Sequence, residues 1–294
     1  MKKRNWQSFL NENKMKNLVF YIICLFTFSI AFSQNFDERK STASKNASII
    51  QQEFVIPSLN NISHKIWVYL PPNYSTSSKT FPVIYMHDGQ NLFDAKTSYI
   101  GEWEVDETLN NLFEKTKKGF IIVGVENAGE ERINEYTPWP NEKYGGGKGE
   151  IYIDFIVNNL KPFIDQNYRT KPDQKYTGLI GSSLGGLISY YGGLKNPDTF
   201  GKIGALSTSF WFSSEVENFT KENGDIKIVK LFLLAGGKEG NDMVEDTQKI
   251  ENLLIKTGFK PKNLKTKINP DGEHNEAFWK SEFSEIITWL YDIK

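Results

Sequence analysis

The stretch Thr177–Leu187, TGLIGSSLGGL, decides how this chain reads. Two serines stand side by side between an apolar run and a run of small residues. A bare serine hydroxyl is a poor nucleophile at neutral pH; it needs a base for its proton and donors for the oxyanion that forms. One arrangement that supplies both is a serine on a tight turn between a buried strand and a helix, written G-x-S-x-G. Glycines two residues before and two after let strand and helix pass closely. Ser183 has Gly181 and Gly185 in those places, whereas Ser182 would have Ile180 and Leu184. Ser183 is therefore the candidate nucleophile and Ser182 a filler of the turn. The competing reading is a Gly/Ser-rich loop without chemistry.

Outward from this turn, strand-like and helix-like segments alternate. Apolar runs in FPVIYMHDG (81–89), FIIVGVEN (120–127), KYTGLIG (175–181), KIGALST (202–208) and IVKLFLLAGG (228–237) suit strands buried on both faces. LKTKIN (264–269) is the last strand. EFVIP and HKIWVYLP, between 53 and 71, alternate with period two and suggest an antiparallel edge hairpin. Helical spacing recurs over 103–116, from Ile153 to Ile164 with Pro162 as a kink, after the elbow to about 194, from Met243 to Leu254, and through Trp279, Phe283, Ile286 and Leu290. The polar, Gly- and Pro-rich insert 128–149 is the longest stretch without periodicity. The alternation predicts an α/β fold of about eight strands, mostly parallel, with helices on both faces. No polar linker divides it after residue 50, so one domain is expected over 51–294.

The first residues read differently. From Met15 to Gln34, MKNLVFYIICLFTFSIAFSQ has a lysine, an apolar run, and Ala31 and Ser33 at the −3 and −1 places of a cleavage site. That is the pattern of a signal peptide over residues 1–33, with Met15 as an alternative start, followed by a loose leader over 34–50. The run is short for a membrane span, which needs about 20 apolar residues. Export to a bacterial periplasm or cell exterior follows, with no stable membrane insertion after cleavage. The single cysteine, Cys24, lies in this run, so the mature chain would hold no disulfide, thiolate metal site or catalytic thiol. A net charge of −1 gives no reason to expect a nucleic-acid partner. Oligomeric state is not readable.

The chain has three histidines. His64 opens an early strand and is expected at the surface. His87 ends the third strand. His274 follows the last strand, where a base can reach back to a serine on a central strand, and it fits the order serine, acid, histidine. The acid belongs at the end of the preceding strand, in GGKEGND. Asp242 spells a capping box with Glu245 and is expected to cap the next helix, which favours Glu239, with Asp242 as the alternative, as the acid that holds the imidazole tautomer. Oxyanion donors are expected from the backbone of Leu184, after the nucleophile, and of Gln90, in HDGQN after the third strand. Asp88 in that loop has no His/Asp/Glu partners at ligand spacing, so neither a metal nor a cofactor is called for. Trp103, Trp139, Trp211 and Trp279 fall near the strand ends; Trp211 and Trp103 are candidate pocket walls, and Arg132 is a candidate for anionic substrate groups.

MHDGQNLFD, GEWEVDETL, EYTPW, GSSLGGLIS, ALSTSFWF and DGEH, in this order, resemble the putative-esterase branch of the α/β-hydrolase superfamily, which includes feruloyl and acetyl esterases, siderophore esterases and S-formylglutathione hydrolases. The resemblance spans about residues 50–290. It implies the α/β-hydrolase fold, a triad of Ser183, Glu239 and His274, and an oxyanion hole at Gln90 and Leu184. Many relatives carry Asp at the acid, so Glu239 departs from the pattern. The expected function is a secreted serine esterase acting on small-molecule or carbohydrate esters, acyl or phenolic. The alternatives are a siderophore trilactone esterase, an acyltransferase, and a non-catalytic binding module on a hydrolase scaffold.

Overall fold

A computed structural model describes residues 39–225 and 229–294. The signal-peptide reading of 1–33 and the first part of the leader lie outside the described residues. Ten strands are named among those residues: β1 (Ala47–Ile49), β2 (Phe54–Ile56), β3 (Ile62–His64), β4 (Ile66–Tyr69), β5 (Val83–His87), β6 (Ile121–Val125), β7 (Thr177–Ser182), β8 (Lys202–Leu206), β9 (Lys230–Gly236) and β10 (Leu264–Asn269). Eight of them form one sheet in the order β1-β4-β6-β5-β7-β8-β9-β10. The pairs from β6 through β10 are parallel; β1 with β4 and β4 with β6 are antiparallel.

Successive residues of the central strands bury on opposite faces, which is why they read as unbroken apolar runs. In β5, Val83 and Tyr85 join one core while Ile84 and Met86 join the other. The helices are α1 (Val105–Thr116), α2 (Arg132–Tyr136), α3 (Gly149–Phe155), α4 (Lys161–Asn167), α5 (Leu184–Lys195), α6 (Glu215–Asn223), α7 (Asn241–Thr257) and α8 (Glu276–Leu290). Leu109 and Leu112 of α1 and Phe283, Ile286 and Leu290 of α8 cover one face; Ile153, Leu187, Ile188 and Leu254 cover the other. Between α3 and α4 the helix widens into a π turn at Ile156–Leu160, just before Pro162. Proline lacks the N–H that would close an ordinary turn and its ring crowds the carbonyl four residues back, so the widened turn takes up the misfit.

Two expectations are corrected at the edge of the sheet. The segment read as one hairpin is divided: β2 pairs with β3 as a separate two-stranded sheet, and β4 joins the main sheet beside β6. The edge strand is β1, where Ala47, Ser48 and Ile49 face Tyr69, Val68 and Trp67, so this end of the expected leader is an ordered strand. Its three residues are too few to show a period. The insert is also more ordered than its composition suggests. Within it, α2 buries Glu135 and Tyr136. Glu135 Oε1 lies 2.5 Å from Nε2 of His64, which is 2 % exposed and not the surface residue expected.

Among the described residues no helix is long and apolar enough to cross a membrane.

Candidate active site

Ser183 sits between the end of β7 and the start of α5 with φ 59° and ψ −125°, a backbone conformation that a non-glycine residue rarely adopts. Its N–H donates to the Leu206 carbonyl at 2.9 Å, which fixes the turn against β8. Gly181 has the role expected for it: a Cβ there would lie 2.5 Å from the Gly185 carbonyl oxygen. At Gly185 itself a Cβ would make only ordinary contacts at 3.4 Å, whereas at Gly186 it would lie 2.7 Å from Thr208 Oγ1 and 2.9 Å from the Leu206 carbonyl oxygen. At the start of α5, the glycine that lets the helix approach β8 is therefore Gly186 and not Gly185.

Glu239 and His274 meet. Oε2 of Glu239 lies 3.0 Å from His274 Nδ1. Oε1 accepts from Ser207 Oγ at 2.5 Å and from the Gly236 N–H at 2.9 Å. The indole N–H of Trp279 donates to Ser207 Oγ at 2.7 Å, and the Trp279 ring meets the imidazole edge to face at a centroid distance of 5.2 Å. A run of hydrogen bonds, Trp279 to Ser207 to Glu239, thus ends on the carboxylate that meets His274 Nδ1. Ser207 was not singled out in the sequence; its signal was the polar cluster STS closing an otherwise apolar strand. Asp242 is exposed in the first turn of α7, whose cap is Gly240 with no side-chain cap bond, so the expected capping role of Asp242 is not realised.

Ser183 and His274 line one cavity of about 720 Å³. Gln90, Trp103, Trp279, Arg132 and Glu276 also line it, with Tyr99 and Ile100 exposed at its mouth. Trp103 packs against Trp279 with ring centroids 5.7 Å apart and planes tilted by 39°. Trp211 is not on this cavity; it is half-exposed and packs against Tyr144 and Phe212. Trp139 packs on Tyr191 and Phe219, also away from it. Gln90 is braced: its carbonyl accepts from Thr97 Oγ1 at 2.8 Å and its Oε1 from the Asn127 N–H at 3.3 Å. Leu184 is the first residue of α5, so its N–H has no acceptor within the helix. The Ser183 hydroxyl lies 3.4 Å from Ser209 Oγ.

Arg132 lines the cavity, but Asp88 engages it in a two-pronged pair, Nε to Oδ1 at 2.7 Å and Nη2 to Oδ2 at 2.8 Å. Asn127 Nδ2 also donates to Oδ1 at 2.6 Å. Burial alone would raise the Asp88 carboxyl; the Arg132 charge and these hydrogen bonds outweigh it and hold it below the usual carboxylate range. His87, packed under the elbow with Nδ1 2.9 Å from the Tyr152 hydroxyl, is pushed down to about 3 by burial and is neutral. Glu276, buried at the start of α8, was missed in the sequence; burial raises its carboxyl. A second carboxyl group also went unread: Glu102, Asp106 and Glu107 converge within 4.8 Å near the start of α1. Burial and the neighbouring Asp106 push Glu107 up to about 8.

The family model described as "Putative esterase" matches residues 58–290. The chain belongs to this esterase family. It is 31 % identical over 243 residues to the uncharacterized protein YbbA of Bacillus subtilis, covering 78 % of this chain and 93 % of that one. It is 28 % identical over 232 residues to an endo-1,4-beta-xylanase/feruloyl esterase of Xylanibacter ruminicola, covering 76 % of this chain and 29 % of that protein. It is 27 % identical over 246 residues to the iron(III) salmochelin esterase of Escherichia coli, covering 78 % and 54 %. Among solved structures, an IroE-like serine hydrolase from Shewanella oneidensis superposes with a TM-score of 0.63 at 22 % identity, covering 83 % of this chain and 78 % of that one. The fold is thus that of the α/β-hydrolases, as the sequence implied, and the esterase family gives the general activity.

Proposed function

We propose that the chain is an exported serine esterase that hydrolyses neutral carboxylic esters, acyl or phenolic esters on carbohydrate foremost, through an acyl-enzyme on Ser183. The observation that carries this is the placement of the Glu239–His274 pair on the cavity that holds Ser183 on its left-handed turn. Ser183 Oγ turns from Ser209 toward His274 Nε2, gives up its proton there, and attacks the ester carbonyl carbon. The N–H groups of Gln90 and Leu184 hold the oxyanion; losing one such donor costs about 3 kcal/mol of transition-state stabilisation. Collapse breaks the bond to the alcohol, which takes the proton from His274. A water then attacks the acyl carbon, and Ser183 leaves with its proton restored. Glu239 holds the imidazole tautomer and stabilises the imidazolium.

Charge in the cavity separates the two ester classes suggested by relatives. Four carboxyl groups, Asp88, Glu126, Glu130 and Glu276, line it against one guanidinium, and that guanidinium is committed to Asp88. A ferric catecholate is polyanionic and would meet no free cation there among the described residues, whereas the adjoining Trp103 and Trp279 offer apolar ring surface to a phenolic ring or sugar face. Neutral esters are favoured over siderophore trilactones on this ground. The test is turnover of p-nitrophenyl acetate, methyl ferulate, acetylated xylan and a catecholate trilactone by wild type and Ser183→Ala. Hydrolysis of the neutral esters that disappears in the variant supports the reading. Turnover of none points instead to a binding module, and equal turnover by Ser183→Ala removes Ser183 as the nucleophile. Export is tested by N-terminal sequencing of the secreted product, expected to begin at Gln34.

A further inference from the structure

At the opposite end of the sheet from Ser183, a second cavity of about 520 Å³ is lined by Lys79, Lys117, Lys118, Lys171, Lys175 and Lys202. It is bounded by the residues that open β5, β6, β7 and β8, so its lysines come from four separate segments and not from one charged run. Tyr176 lines it at the start of β7 and Ser183 follows the end of that strand, which at 3.3 Å per residue puts the two cavities roughly 20 Å apart. The chain as a whole carries a net charge of −1, so overall basicity does not account for this concentration.

Lysines on an ordinary surface are interspersed with carboxylates. Among the described residues none of these six forms an ion pair, while Lys161, Lys230, Lys249, Lys265, Lys267 and others do. Asp292 is the sole carboxylate on the wall, and it is taken by Lys230 at 2.7 Å. Lys171 and Lys175 lie 4.8 and 4.9 Å from the centroid of the Tyr176 ring, and Lys202 lies 5.9 Å from that of Tyr291. The Tyr291 hydroxyl is buried without a hydrogen-bond partner. Burial and the nearby Lys230 hold the Lys202 ammonium below its usual range. Like charges gathered on one wall repel one another, and an anion seated among them would relieve that repulsion. The wall contains lysine and no arginine. A lysine ammonium binds phosphate as a point charge, so attraction to such a wall grows with the charge an anion carries.

We infer that this cavity is a binding site for a multiply charged phosphate compound, separate from the esterase centre and independent of its chemistry. Isothermal titration and thermal melting with tripolyphosphate, inorganic phosphate and citrate at low and physiological salt test it. Tripolyphosphate should bind one per chain, about tenfold more tightly than citrate, and weaken with added salt. Lys171→Gln combined with Lys175→Gln should lower that affinity about tenfold, while Lys249→Gln combined with Lys265→Gln, elsewhere on the surface, should not. Vesicles bearing phosphatidic acid form a parallel arm: competition by tripolyphosphate there identifies a lipid headgroup as the source of the phosphate, and tighter binding in solution identifies a free one. Absence of binding by all phosphate probes, citrate binding as tight as tripolyphosphate, or undiminished affinity in the Lys171/Lys175 variant would overturn the inference.

Discussion

Glu239 and His274 are joined at 3.0 Å although the carboxylate is fully buried and the imidazole is 38 % exposed. One partner is fixed by the protein interior and the other opens to the cavity, as a base that must meet substrate requires. Glu239→Gln keeps the shape but removes the charge that stabilises an imidazolium. Its kcat for p-nitrophenyl acetate should fall by about 10³ with KM little changed. Asp242→Asn, exposed in the first turn of α7, should retain activity within about twofold and lose at most about 1 kcal/mol through the helix dipole. Steady-state kinetics on both variants decide between the two acids, and the reverse ranking would transfer the role to Asp242.

Ser207→Ala separates support of the acid from the chemistry itself. The hydroxyl passes a hydrogen bond from Trp279 to Glu239, so its removal leaves both the buried indole N–H and one carboxylate oxygen short of a partner. Leaving a buried donor unsatisfied costs about 1–3 kcal/mol. Melting temperature should drop, and the acidic limb of the kcat/KM–pH profile should move because the carboxylate that faces His274 is less well held. A variant with the wild-type pH profile would show Ser207 to be packing alone.

That Ser183, His274 and Glu239 gather at one end of the sheet is legible because chain order, strand ends and a glycine pattern constrain their positions jointly. The strand runs were readable for a related reason: both faces of the sheet are buried, so apolar residues are contiguous. What escaped was set by tertiary contact. Nothing local marks Glu276 as buried, since only packing against Gly101 and Asn91 places it there. His64 was misplaced at the surface because its partner, Glu135, lies 71 residues away in an insert whose composition reads as loop. Trp211 was chosen for the pocket from its position after β8, but the turn that follows sends it to solvent beside Tyr144.

The distinction between Gly185 and Gly186 is testable by alanine. Gly186→Ala would press a methyl against the Leu206 carbonyl, a backbone atom that cannot rotate away. Overpacking of this kind costs about 1–3 kcal/mol, or roughly 2–10 °C in Tm for a domain of this size. Gly185→Ala meets only ordinary contacts and gains helix propensity of about 0.5–1 kcal/mol, so its Tm should stay level or rise. Thermal melts of the two variants should therefore move in different directions.

His87 makes stability depend on pH. Its folded value of about 3 lies below the ordinary histidine value, so between these limits the unfolded chain binds a proton that the native protein does not. Stability then rises with pH across that window, by at most about 1.4 kcal/mol per pH unit from this residue, and the contribution is complete above pH 7. His87→Gln, which cannot take up that proton, should flatten the slope of urea-unfolding free energy between pH 4 and 6.5. An unchanged slope would mean that other groups set the acid sensitivity.

The Asp88–Arg132 pair should reveal itself as coupling. Both side chains are mostly enclosed, 12 % and 29 % exposed, and the carboxylate is also held by Asn127. Removing either partner alone strands the other: Arg132→Gln leaves an enclosed carboxylate and Asp88→Asn an enclosed guanidinium. Breaking a fully buried pair costs about 3–5 kcal/mol; the residual exposure here reduces that to about 2 kcal/mol for each single change. The double variant, with two neutral amides that can bond each other, should lose clearly less than the sum of the singles. A pH signature accompanies it. Because the folded Asp88 value lies below its unfolded one, the pair stabilises the protein above about pH 4, and that stability is lost as pH falls through the folded value. Urea melts of the four proteins at pH 7 and at a series of lower pH values should show the coupling in full at pH 7 and its progressive loss once pH falls below about 4. Additive losses at pH 7 would mean that the two side chains contribute independently, and that Arg132 is available to substrate.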